Sequence, residues 1–96
     1  MKYNIPERVF RDITSIAAKH EMSKVLLFGS RARGTHYERS DIDLAVQGEE
    51  FDSFAEDIRE NVHSLLMFDI VNLDSVLSED FKSEILRDGV ILYEKA

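Results

Sequence analysis

The chain has 96 residues, 44% of them hydrophobic and 32% charged, and its 19 acidic and 12 basic side chains give a net charge of −7. That length suits a single hydrophobic core and so one domain, 1–96, and the lack of cysteine excludes disulfides, zinc–thiolate sites and thiol nucleophiles. The acidic balance argues against direct binding of a nucleic-acid backbone, which needs clustered Lys and Arg, and favours a basic protein partner or a neutralising cation. The opening Met1–Phe10 lacks an apolar leader core and no run approaches a membrane span, so a cytoplasmic address is expected.

Ile5, Val9, Phe10, Ile13, Ile16 and Ala17 recur at three- and four-residue spacing, predicting a first helix with Pro6 in its first turn. Lys19-His20-Glu21 closes it, and Val25–Phe28 is an apolar strand that stops at Gly29-Ser30. A short second helix opens at Ser30, and a polar loop, Thr35 to Ser40, leads to a second strand, Ile42–Val46. Gly48-Glu49-Glu50 breaks that pattern at the start of a third helix, whose apolar stripe is Phe51, Phe54, Ala55, Ile58, Val62, Leu65 and Leu66. Phe68–Leu73 reads as a third strand. Ser78 is the predicted N-cap of a fourth helix packing through Phe81, Ile85 and Leu86, with Gly89 as its C′ residue. Val90–Tyr93 is a final strand. The alternation predicts one α/β domain, a mixed sheet of about four strands covered by about four helices; strand order is left open.

The chemistry concentrates in residues 25–46. A glycine ending a buried strand lets backbone approach a ligand closely. The Ser30 hydroxyl and the free N–H groups of the turn after it suit an anion, and Arg31 and Arg33 can add charge-assisted phosphate contacts. The same residues would also suit a plain strand-to-helix turn with solvated arginines. Further on, Asp41 and Asp43 fall on one face of a strand, about 6.5 Å apart at two residues' rise. They repel by about 2.5 kcal/mol at an effective dielectric near 20, a cost removed by a divalent cation between them. Oxygen-only ligands favour Mg²⁺ or Mn²⁺ over zinc. An outward acidic face of an edge strand would look alike. Asp69 interrupts an apolar run, where a charge is expensive unless paired or metal-bound. Together these carboxylates suit metal-assisted activation of a hydroxyl: Asp41 and Asp43 on the metals that bridge phosphate oxygens, Asp69 ligating and deprotonating the acceptor, Gly29 and Ser30 on the terminal phosphates. His20, His36 and His63 show no metal-ligand spacing.

Gly29-Ser30, ten residues, then Asp41-Ile42-Asp43 resembles the signature of minimal nucleotidyltransferases of the DNA polymerase β-like superfamily. Asp69 in Phe68–Leu73 matches that family's third carboxylate, and Ile85–Glu94 is similar to its usual ending. The resemblance implies a small nucleotidyltransferase-type domain, with Asp41, Asp43 and Asp69 as catalytic metal ligands and Gly29, Ser30, Arg31 and Arg33 contacting the nucleotide. It also implies an antitoxin paired with a HEPN-type toxin in a hetero-oligomer, using Mg²⁺ and ATP to place AMP on a toxin tyrosine. The loop bearing His36, Tyr37 and Glu38 departs from the family's small-residue stretch. The alternative is a non-catalytic antitoxin that silences its toxin by binding alone. The intact carboxylates favour catalysis; a transferase acting on a small molecule or nucleic acid is disfavoured by size and charge.

Overall fold

The computed structural model describes residues 3–96; Met1 and Lys2, part of the N-terminal reading above, lie outside the described residues. Four helices and four strands alternate: α1 Glu7–Lys19, β1 Lys24–Phe28, α2 Ser30–Arg33, β2 Ile42–Gln47, α3 Phe51–Asn61, β3 Phe68–Asn72, α4 Glu79–Asp88 and β4 Val90–Glu94. The strands form one sheet in the order β3-β2-β1-β4. β1 runs antiparallel to both β2 and β4, and β3 pairs parallel to β2, so the sheet is mixed as expected. The parallel pair requires a crossover, which α3 supplies.

Alternation along the strands divides the core. On one face Val25, Leu27, Ile42, Leu44, Val46, Ile70 and Leu92 pack under α1 and α3, with Ile13, Phe54 and Ile58 fully buried. On the other, Leu26, Phe28 and Ala45 pack under α4 through Ile85 and the partly buried Phe81, whose ring meets Phe28 edge-on at 5.8 Å. The even positions of β2 therefore face α1 and α3, and the odd positions face α4.

Several boundaries differ from the sequence reading. Pro6 precedes α1 and caps it (φ −57°, ψ 140°), its carbonyl accepting from Phe10 N at 3.0 Å. The stripe extended to Leu65 and Leu66 overruns α3, which ends at Asn61. Val62 turns extended there while staying buried, because the chain must straighten to enter β3. Leu66 is then tied by its N–H to the Ser64 hydroxyl, and Leu65 is 90% exposed. Leu86 is likewise 62% exposed, so α4 packs through Phe81 and Ile85 alone of the three. Ser78 caps α4 as predicted, accepting from Phe81 N at 3.1 Å. Gly89 is extended (φ −65°), not left-handed, because the chain passes straight into β4. No helix among the described residues is long and apolar enough to cross a membrane.

α1 and α3 are also joined by polar contacts. His20 Nε2 donates to Asp57 at 2.8 Å, Lys19 pairs with the same oxygen at 3.1 Å, and Asn61 Nδ2 donates to the other. The bond from His20, then that from Asn61, holds the Asp57 carboxyl at about 2, below its ordinary 3.8, against the opposing effect of burial. A depressed carboxyl contributes stability above its unfolded value and loses it as pH falls through its folded value. Asp57→Asn should therefore melt below the parent at pH 7, with the gap narrowing from pH 4 downward and closing near pH 2. Thermal melts across that range decide it; a gap independent of pH would assign the loss to packing.

Candidate functional site

The site lies at one end of the α4 face. Asp43 is an odd residue of β2 and sits opposite Phe28 in the β1 ladder and beside Asp69 in the β3 ladder. Neighbouring strands are about 4.8 Å apart, so the register alone sets two carboxylates side by side. Asp41 directly precedes β2, close enough for its charge to act on Asp43. α4 covers Leu26, Phe28 and Ala45 and leaves this end open: Asp41 and Asp69 are exposed and Asp43 is half-buried. Burial, then the charges of Asp69 and Asp41, push the Asp43 carboxyl above its ordinary 3.8, with Arg33 opposing. The carboxylates thus interact, although no group of three His, Asp or Glu side chains among the described residues is already gathered tightly enough to hold an ion.

Gly29 closes the site from β1. Its φ of 72° and ψ of −155° lie where residues with a Cβ are strained. A Cβ built there would stand 2.2 Å from Asp43 Oδ2 and 3.1 Å from its Cγ. The backbone turn and the carboxylate are therefore in contact only because the residue is glycine. Ser30 opens α2, and the Ala32 and Arg33 amides bond back to the Gly29 carbonyl at 3.1 Å.

The two arginines of this turn have different surroundings. Arg33 lies 3.8 Å from Glu84 and 4.0 Å from Asp88 of α4, long and partly exposed pairs that are weak and easily exchanged for another anion. Arg31 is 4% exposed, and its guanidinium donates to the carbonyls of Asn4, Ser40, Glu38 and Tyr37. The phosphate contact expected of Arg31 gives way to this use: Nε, Nη1 and Nη2 are all engaged by backbone. Sequence reasoning missed that role because backbone carbonyls leave no side-chain signature.

The residues present fit a hard divalent cation. Their donors are all carboxylate oxygens, the half-buried Asp43 gains most from a positive neighbour, and the Gly29 cradle keeps bulk away from it.

The fold is that of the nucleotidyltransferase class. The sequence matches the family model described as "Polymerase beta, Nucleotidyltransferase" over residues 11–96, and the chain belongs to that family. Among solved structures it is similar to a crystal structure of a toxin-antitoxin with AMP-PNP, with a TM-score of 0.68 and 22% identity over 90% of this chain and 73% of that one. A mutant of the toxin-antitoxin MntA-HpeT aligns with a TM-score of 0.66 and 18% identity, over 90% and 73%. A nucleotidyltransferase from Sulfolobus solfataricus aligns at 0.53 and 18%, over 93% and 86%. At these identities the likeness is one of fold. No curated protein matches significantly in sequence.

Proposed function

We propose that residues 1–96 act as one Mg²⁺-dependent nucleotidyltransferase domain. In this reading the protein is the antitoxin of a toxin–antitoxin pair and transfers AMP from ATP to a tyrosine of a HEPN-type toxin in the cytoplasm. The observation that carries the reading is the register that sets Asp43 beside Asp69, with the Asp41 charge acting on Asp43, against a glycine whose Cβ would displace that carboxylate. The fold shared with toxin-antitoxin structures, one of them holding AMP-PNP, supports the partner and the nucleotide. Three exposed apolar side chains, Tyr37, Leu65 and Met67 (71% exposed), flank the open end in sequence and offer a partner something to bury.

Magnesium, or manganese in its place, held by Asp41, Asp43 and Asp69 would neutralise phosphate charge and acidify the attacking hydroxyl. The Gly29–Ser30 turn holds the terminal phosphates, and Arg33 exchanges Glu84 and Asp88 for a phosphate oxygen. Asp69, exposed beside Asp43, takes the phenol proton as the tyrosine oxygen bonds to the α-phosphorus. The bond from that phosphorus to the α–β bridging oxygen breaks, and pyrophosphate leaves with the electron pair. Positioning accounts for most of the gain in such in-line transfers.

The test is intact-mass spectrometry of the toxin after incubation with this protein, ATP and Mg²⁺. An AMP-sized mass increase is expected with the parent and none with Asp41→Ala. A toxin that is silenced yet unmodified would assign the protein to inhibition by binding alone.

A further inference from the structure

Arg31 is the one charged residue buried among the described residues, and no carboxylate pairs with it. Burying a guanidinium without a counter-ion is expensive, and an aliphatic side chain would fill the space more cheaply. What arginine adds is a rigid planar fork that fixes several acceptors at once. Three of its acceptors lie in the loop before β2: Ser40 O at 3.0 Å, Glu38 O at 2.9 Å and Tyr37 O at 3.4 Å. The fourth, Asn4 O at 2.8 Å, lies ahead of α1, and Asn4 Nδ2 returns a bond to the Arg31 carbonyl at 2.7 Å.

The Ser40 carbonyl belongs to the peptide group that carries Asp41. Asp41 stands outside the ladder, whose first bond in this direction runs from Ile42 N to Met67 O at 2.9 Å. Sheet register therefore fixes Asp43 and Asp69 but reaches Asp41 only through the peptide that follows it, leaving the peptide before it to Arg31. We propose that Arg31 is the positioning residue that sets Asp41, and through it the affinity of the site for a divalent cation. The inference rests on the proposed role of Asp41 as a ligand. In this role Arg31 acts through the Ser40 carbonyl and not by contact with ion or nucleotide.

Mn²⁺ binding to the full chain, followed by electron paramagnetic resonance with and without a non-hydrolysable ATP analogue, tests it. Arg31→Lys keeps the charge but loses the fork. Its Mn²⁺ affinity should fall about tenfold or more, as for other residues that orient a ligand. Amide exchange at residues 37–41 should quicken in the absence of any ion, and saturating metal should restore transfer. Because a bound ion also stabilises a damaged fold, the variant is compared well below its ion-free Tm, where the folded fraction is complete. A folded Arg31→Lys with affinity within about twofold of the parent would overturn the proposal. If that variant does not fold, Arg31→Met, which fills the space without burying a charge, decides in its place. Weaker Mn²⁺ binding at an unchanged Tm supports the clamp, and unchanged binding overturns it. Asp41→Asn separates the layers. If it loses affinity while Arg31→Lys does not, only this inference falls; if it binds as the parent does, the role given to Asp41 falls and the inference with it.

Discussion

Asp43→Asn is expected to cut nucleotidyl transfer by roughly 10³-fold or more while raising the Tm of the ion-free protein. The first effect follows from the proposed role of Asp43 as a metal ligand, since such a charge stabilises a transition state by several kcal/mol. The second follows from the direction of its shift. Burial and the neighbouring Asp69 and Asp41 raise the folded carboxyl above its ordinary 3.8. A raised carboxyl makes the fold most stable below the unfolded value, and that stability is lost as pH rises through the folded value. At pH 7 the full cost is present, and asparagine removes it with little change of shape. The gain is read as a rise in Tm, a sensitive measure because each kcal/mol moves the Tm of a domain this size by about 4–8 °C. Mg²⁺ with ATP should reverse the ranking, because ligand binding then stabilises only the parent. Equal stabilisation of both by Mg²⁺ and ATP would remove Asp43 from the coordination proposed here. Melting curves with and without ligand, beside the mass-spectrometric assay, provide both readouts.

Gly29→Ala should be nearly as damaging to activity and, unlike Asp43→Asn, should also cost stability. The strained backbone costs about 1–3 kcal/mol for a residue with a Cβ. The new methyl would meet Asp43 Oδ2 at 2.2 Å, so the carboxylate must move. A displacement of that order can cost about 10²-fold in rate. Gly34→Ala is the control. It has a similar φ of 79°, but its Cβ would find only Asn4 Nδ2 at 3.9 Å. It should lose stability in urea denaturation yet keep transfer near the parent level, whereas comparable losses of transfer in both variants would point to strain alone.

Much of this was legible in the sequence because it is local. The spacing of the helices, the abrupt stop at Gly29 and the alternation around Asp41 and Asp43 lie within short windows. The element order and the mixed α/β sheet followed from them. The third helix was read too far because Leu65 and Leu66 keep its beat, and nothing nearby says that the chain must straighten for β3. The His20–Asp57 bond joins residues 37 apart and has no motif. Arg31 looked like its neighbour Arg33, since a spacing rule cannot separate an arginine facing carboxylates from one wrapped by carbonyls.

The parallel pairing of β2 with β3 also has a consequence for how such a chain can change. Because hydrogen-bonded register, and not the count of intervening residues, brings Asp69 abreast of Asp43, the loops on either side of α3 can grow or shrink in evolution without parting the two carboxylates. A slip of a single position in the ladder is another matter: it would swing Asp69 to the underside of the sheet, among the α1 and α3 side chains.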